Sequence, residues 1–378
     1  MKTFSFKLYN SKRNRHLYKI ANISGIIYNY CIAFHKRYYK LYGKSLSANT
    51  LKKHITKVKK QCGKDYWNLV GSQAIQDIVE RIDRSYHLFF ENLKRKVRTS
   101  PPGFKKVKKY KSFTLKQAGY KFLEDNKVKI GDKVYKYFKS RNIEGNIKTV
   151  TVKRNPLGEI TIFVVTDYEE QAVTTVKTGK MAGCDFGLKT FITLNDGDNT
   201  IEIESPRFYE SSVKAVKYAG RKLSRKVKGS NNRIRAKAAY CRAHEKIANQ
   251  RKDHHFKLAR ELCSKYDVIS FEDLNMKAMQ MMWGRKISDL AFSSFLKILE
   301  HQATKYGTKI VTIGRFFPSS KTCSDCGHVL EELGMNERIW TCPACGKTHK
   351  RDENAAINIR RVGASTLGVE TVNLDIAS

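Results

Sequence analysis

Residues Thr3 to Leu8 alternate apolar and polar side chains, the period of a strand with one buried face. From Arg13 to Tyr42 the period changes. Leu17, Ile20, Ile27, Cys31, Phe34, Tyr38 and Leu41 recur at helical spacing and predict a long amphipathic helix. Ser47 is a natural N-cap for a shorter second helix. Ile75, Ile78, Val79, Ile82, Tyr86, Phe89 and Phe90 predict another, out to about Arg95. From Phe113 to about Val176 the chain is strand-like again. Lys148-Thr-Val-Thr-Val-Lys and Glu159-Ile-Thr-Ile-Phe-Val-Val flank the turn signal Asn155-Pro-Leu-Gly158. The opening strand and this stretch read as one β-rich domain with a helical region inserted.

A third region starts near Met181. Ala182-Gly-Cys-Asp-Phe-Gly187, Thr190-Phe-Ile-Thr-Leu and Thr200-Ile-Glu-Ile-Glu predict three neighbouring strands, and Tyr209 to Arg260 is helical. The strand Val268-Ile-Ser-Phe-Glu272, a helix around Leu290 to Tyr306 and the strand Lys309-Ile-Val-Thr-Ile follow. A cysteine-rich module and a short helix from Glu353 to about Arg361 come next. Gly363 to Ser378 is expected to be a loose tail.

Composition adds a partner. Hydrophobic residues make up 41% of the 378, enough for real cores, while 73 Lys and Arg against 35 Asp and Glu leave a net charge of +38. Such an excess repels itself in a compact chain and calls for a polyanion, nucleic acid first. The charge is concentrated. Lys94 to Lys111 holds nine Lys or Arg in eighteen residues around Pro101-Pro-Gly-Phe104, and Tyr209 to Arg260 holds sixteen against three acids. The longest apolar run, Gly25 to Phe34, is too short for a membrane span, and the N-terminus lacks an apolar signal region, so an intracellular location is expected.

Four of nine cysteines are clustered as Cys323-x2-Cys326, fifteen residues, Cys342-x2-Cys345. Two such knuckles are the spacing of a closed, structural tetrahedral Zn2+ site, with Gly327 and Gly346 giving the turns room. His328 and His349 lie nearby but are not needed as ligands. Cys31, Cys62, Cys184, Cys241 and Cys263 are scattered and read as reduced, semi-buried residues.

Three acids stand at element ends: Asp185 after an apolar strand, Glu272 closing Val268-Ile-Ser-Phe, and Asp352 ahead of Asn354-Ala-Ala-Ile-Asn. Each alone is ordinary turn or capping chemistry; Asp352, for one, reads as a helix N-cap. Together they follow the order of metal-binding acids in RNase H-like nucleases, where hard carboxylates suit Mg2+ and paired ions drive phosphodiester hydrolysis.

Gly183-Cys-Asp-Phe-Gly, Ser270-Phe-Glu-Asp-Leu-Asn, Phe317-Pro-Ser-Ser-Lys-Thr-Cys-Ser-Asp-Cys-Gly and Arg351-Asp-Glu-Asn-Ala-Ala-Ile-Asn-Ile closely resemble the TnpB (OrfB) family of prokaryotic insertion sequences, relatives of the compact type V CRISPR effectors. Lys350 stands where family members often carry His or Asp. The resemblance implies an α+β multidomain fold: a β-barrel wedge domain with an inserted helical recognition domain, then an RNase H-like (RuvC) α/β nuclease domain with an inserted zinc ribbon. On this chain the wedge would take residues 1–10 and 101–178, the recognition domain 11–100, the nuclease domain 179–317 and 349–362, the ribbon 318–348, and the tail 363–378. Asp185, Glu272 and Asp352 would be the catalytic acids on two Mg2+ ions, or Mn2+ in their place, and Cys323, Cys326, Cys342 and Cys345 would hold structural Zn2+. Ser319, Ser320 and Lys321 would either touch nucleic-acid backbone near the metals or cap the ribbon entry.

The implied activity is RNA-guided cleavage of double-stranded DNA beside a short target-adjacent motif. The implied partners are a guide RNA from the transposon end and the target duplex, one protein monomer per RNA, with no membrane, in the cytoplasm and at the nucleoid of a prokaryote. A guided repressor that binds without cutting, and an RNase H-like transposase, are the alternatives.

Overall fold

The computed structural model describes residues 1–169, 173, 177–334 and 336–367. The chain divides into two compact units, Met1–Glu170 and Gln171–Ser378.

In the first unit, β1 (Lys2–Lys7) is followed by helices α1 (Asn14–Tyr42), α2 (Ala48–Val58) and α3 (Ser72–Lys94). Short strands β2 (Ser112–Leu115), β3 (Tyr120–Leu123), β4 (Lys127–Ile130) and β5 (Lys133–Lys136) precede the longer β6 (Ile147–Arg154) and β7 (Ile160–Thr166). β1 returns across the whole helical insertion to pair antiparallel with β7, Lys2 facing Thr166, in a sheet of order β1-β7-β6-β2. Phe4, Phe6, Ile160, Ile162 and Val164 alternate into its buried face, which shares one core with Ile27, Ile32 and Ile78 of the helices. α2 starts where expected: the Ser47 hydroxyl accepts from Thr50 N at 3.2 Å. Among the described residues β3, β4 and β5, four residues each, pair with one another, and the bridge of Leu8 with Tyr137 joins them to the end of β1. Strand structure stops at Thr166, and Val176, the expected limit of the strand-like stretch, lies outside the described residues.

The second unit carries strands β8 (Met181–Phe186), β9 (Thr190–Asn195) and β10 (Thr200–Glu204), helices α4 (Phe208–Ser224) and α5 (Asn231–Lys265), and β11 (Val268–Glu272). Two short helices that periodicity does not announce, α6 (Met276–Trp283) and α7 (Arg285–Leu290), lead into α8 (Phe292–Tyr306) and β12 (Lys309–Ile313). The small strands β13 (Ile339–Thr341) and β14 (Thr348–Lys350) then precede α9 (Arg351–Thr366). The sheet runs β10-β9-β8-β11-β12; β8, β11 and β12 are parallel, and β9 and β10 join antiparallel. Five of the six residues of β9 are buried, the apolar Phe191, Ile192 and Leu194 together with the polar Thr193 and Asn195. Phe186, Phe191, Phe271, Phe292 and Phe295 interlock between sheet and helices in stacked and edge-on pairs 4.7–6.2 Å apart.

α9 differs from expectation at both ends. It runs to Thr366, so Gly363 to Thr366 are helix rather than tail, because Gly363 and Ala364 are buried and the helix continues as far as it has sheet to cover. Residues 368–378, the rest of the expected tail, lie outside the described residues. At the other end the cap position belongs to Lys350, and Asp352 sits inside the first turn.

Gly183 is the residue that lets α9 lie on the sheet. A Cβ there would strike the α9 backbone at Ala356 O and Arg360 N, and would stand 2.6 Å from Arg360 Cβ. Backbone cannot rotate aside as a side chain can. Gly183→Ala is therefore expected to lift α9 and cost about 2–3 kcal/mol, roughly 4–12 °C in Tm for a unit of this size, read by differential scanning calorimetry. An unchanged Tm would refute the contact.

Candidate active site and cysteine cluster

The parallel register sets the first two acids. Val268 pairs with Met181 and Phe271 with Cys184, so the next step along each strand places Glu272 beside Asp185 at the carboxyl ends of β11 and β8. α9 packs across β8, β9, β11 and β12, with Gly183 under its first turns, and brings Asp352 to the same end. The carboxyl ends of parallel strands are where open α/β sheets present their chemistry.

Electrostatics tie the three together. Burial pushes the Asp185 carboxyl well above the usual carboxylate range; the charges of Glu272 and Asp352 push it further, and the Arg351 guanidinium opposes them. Burial also raises Glu272, against a hydrogen bond donated by the Ser319 hydroxyl. Asp352 is gripped by two cations, Arg338 at 3.0 Å and Arg351 at 3.0 Å. The three carboxylates are not bunched into one tight chelate. Among the described residues, only the cysteine quartet and the trio Cys323, Asp325 and His349 bring their ligand atoms within 4.8 Å of one another. Carboxylate oxygens are the hard donors that a divalent cation such as Mg2+ takes.

The cysteine module is compact. Cys323 Sγ lies 3.7 Å from Cys345 Sγ, and Cys326 Sγ 3.6 Å from Cys342 Sγ. Four thiolates around a tetrahedral centre with bonds of about 2.3 Å would stand about 3.8 Å apart, so the quartet fits Zn2+. Each knuckle closes through a glycine in the left-handed region: Gly327 N donates to Cys323 O, and Gly346 N to Cys342 O, with φ of 77° and 73°. His349 is outside the quartet, but its Nε2 faces Cys323 Sγ at 3.1 Å and its ring lies on Trp340.

Cluster and acids are physically joined. Asn354 and Asn358, one turn apart on α9, donate to the carbonyls of Ser319 and Thr322, and Ser324 N donates to Asn354 Oδ1. Arg351 N donates to Arg338 O at 2.8 Å. Of the three residues at the module's entry, Ser319 touches Glu272, whereas Lys321 turns to Glu331 O inside the module. Arg338, Arg351, Asn354 and Asn358 escaped the sequence reading. Arg351 and both asparagines lie within the quoted Arg351-Asp-Glu-Asn motif, but their partners come from other elements and no spacing rule exposes them.

Residues 163–282 match the OrfB_IS605 family model, described as a probable transposase, and residues 292–359 match the Cas12f1-like TNB domain model. Over 217 residues the chain is 36% identical to a Streptomyces pristinaespiralis protein named "Putative RNA-guided DNA endonuclease", covering 57% of this chain and 52% of that one. It is 27% identical over 315 residues to the Escherichia coli K12 protein of the same designation, InsQ, covering 78% and 75%. It is 32% identical over 203 residues to TnpB-like protein L79 of Acanthamoeba polyphaga mimivirus, covering 50% and 38%. The chain thus spans about half the length of the first of these relatives. In fold, it resembles the protein of a Cas12f1–sgRNA–target DNA complex at TM-score 0.58 and 14% identity, over 93% of this chain and 83% of that one. It also resembles the mini-RNA-guided endonuclease CRISPR-Cas_phi3, at TM-score 0.56 and 11% identity over 96% and 92%. The architecture is therefore a mixed α/β multidomain fold of the Cas12f and Cas12j kind.

Proposed function

We propose that this chain, a member of the OrfB (TnpB) family, is an RNA-guided endonuclease that cuts double-stranded DNA beside a short target-adjacent motif. The observation that carries the reading is the parallel β8–β11 register, which sets Asp185 beside Glu272 under the helix bearing Asp352. The sheet order supports an RNase H-like (RuvC) nuclease domain, three antiparallel strands followed by two parallel ones with a closing helix across them. The small core of Cys323, Trp340 and Cys342 supports a zinc ribbon inserted before that helix. Residues 1–10 and 101–178 with the helical region 11–100 would be the wedge and recognition parts.

Asp185, Glu272 and Asp352 would hold two Mg2+ ions (or Mn2+), which when bound activate the attacking water and neutralise charge on the leaving oxygen. The chain's own groups prepare that site. Ser319 holds Glu272 in one rotamer, and the α9 backbone on Gly183 holds Asp352 at the right height. Arg338 and Arg351 offset the local negative charge through Asp352 and would be available to a phosphate at the cluster. The ribbon's zinc would fix β13, which Arg338 directly precedes. The basic segments Lys94–Lys111 and Tyr209–Arg260 would grip phosphates of guide and target, while base pairing supplies the sequence specificity. Among the described residues no helix is long and apolar enough to cross a membrane, and the reading requires no membrane.

The test is to express the chain with its native 3′ flanking DNA, sequence the RNA that co-purifies, and challenge the complex with plasmids matching the guide beside a randomised flank. One RNA species with a fixed scaffold, and double-strand breaks that require one flanking motif, are expected. Heterogeneous host RNA and no guided cleavage would overturn the reading. Guided binding unaffected by Asp185→Ala, with no cutting by either protein, would establish a repressor, and strand-transfer products with donor ends a transposase.

A further inference from the structure

Phe316 is 95% exposed, while the next barest phenylalanine, Phe104, is 61% exposed. A bare ring is ordinary on a loose loop, but this loop is pinned on both sides. On one side Arg315 donates to Asp273 O at 3.0 Å and to Asp273 Oδ2 at 2.6 Å, fastening the chain to the residue after Glu272. On the other side Ser319 is buried, its hydroxyl on Glu272 and its carbonyl accepting from Asn354 and Asn358 of α9. Between these anchors Phe317 N donates to Gly314 O and Ser319 N to Phe317 O, so the segment is tightly turned. Three residues cannot span more than about 10 Å. The Phe316 backbone therefore stands within that distance of Ser319, which is tied to Glu272, and its ring faces solvent on the acid cluster's side of this short turn.

We propose that Phe316 is a stacking platform for a base of the single DNA strand whose phosphate enters the acid cluster; this rests on the nuclease reading above. The surroundings specify the occupant. Arg338 and Lys350, with side chains 51% and 71% exposed, and the half-exposed Arg315 supply cations for a backbone passing the carboxylates. A strand threaded along them would have its bases splayed to one side, and any base can stack on a phenyl face whatever its identity. A protein partner would need a continuous apolar surface around the ring. The residues beside it in sequence are the charged Arg315, the half-buried Phe317 and the exposed Pro318, which make no such continuous surface. Phe316 is thus a positioning residue: it fixes the register of the strand, not the chemistry at phosphorus.

The test uses the full chain carrying Asp185→Asn, so that no strand is cut, with a 12-nucleotide single strand containing 5-iodouracil. Irradiation cross-links iodouracil to an aromatic ring stacked on it, and mass spectrometry maps the adduct. An adduct on Phe316 is expected. It should be lost in Phe316→Leu, which keeps an apolar side chain without a π-face, and kept in Phe316→Trp. In the guide-RNA complex with Asp185 intact, Phe316→Ala should raise KM for the DNA strand being cut roughly 5- to 100-fold, as for loss of one stacked base. Hydrolysis of bis(p-nitrophenyl) phosphate, a diester without a base, should be unchanged. Adducts elsewhere with none at Phe316, or an unaltered KM, would overturn the proposal while leaving the nuclease reading intact. A Phe316 adduct on a chain that cuts no DNA would support the platform and remove the nuclease reading instead.

Discussion

Asp185→Asn is expected to abolish guided cleavage, by at least ~10³-fold, and at the same time to make the metal-free protein more stable. Both effects come from the same crowding. Asp185 is pressed by burial and by the charges of Glu272 and Asp352, so its folded carboxyl holds its proton to higher pH than an unfolded one. Below the unfolded value, near 3.9, both states are protonated and the group contributes nothing. As pH rises past it the unfolded chain ionises first, and the fold loses stability until the folded carboxyl ionises too. In EDTA the native protein should therefore melt higher at mildly acidic pH than at neutrality. The asparagine variant should lose that part of the slope and gain about 0.5–2 kcal/mol at pH 7. Mg2+ should raise Tm in the native chain and much less in the variant, since ligand that binds only the fold stabilises by mass action. Scanning calorimetry between pH 5 and 8, with and without Mg2+, reads all of this. A variant no more stable in EDTA, with an undiminished Mg2+ response, would remove Asp185 from the cation site.

Cys342→Ser has the other large effect. Among the described residues the module's buried apolar core is Cys323, Trp340 and Cys342, with Leu330 and Leu333 leaning on it, far too little to fold unaided. Structural zinc in peptides of this kind supplies roughly 10–16 kcal/mol of apparent binding energy. One zinc per native chain is expected by metal analysis, and none in the serine variant. Limited proteolysis should then open the chain between about residues 318 and 348. Cleavage should fall with it, because Arg338, which grips Asp352, rides on the module and the Ser319 and Thr322 carbonyls lose their frame. Zinc retained in the variant, or cleavage surviving its loss, would separate the module from the site.

How much of this could be read from residues alone differs by element. Alternation in β1 and the three- and four-residue spacing of α1 and α3 suffice because one face of each is buried on a single core. The cysteine quartet is equally plain, since chelation needs its ligands close in sequence. The three acids are legible only as an order along the chain; that Asp185 and Glu272 are neighbours is a property of the parallel register, which no local pattern encodes. β3 to β5 have strand composition, but how such short strands join a distant sheet depends on register and length, which local pattern does not encode. The end of α9 was placed too early because Gly363 reads as a stop, whereas here it is packed tightly over Ser270 and Met181. Ser319 and Arg338 gain their meaning only from what lies across from them.

The position of α9 also bears on how such an enzyme is made. Ribosomes add roughly 5–20 residues per second, and Asp352 is polymerised eighty residues after Glu272. For about 4–16 s of every synthesis, then, two of the proposed acids exist without the third. Completion waits for α9 to settle on Gly183 within β8. On the nuclease reading, any chain that stops before α9 would lack one of the three proposed acids, so the catalytic set could not be complete before that helix is made.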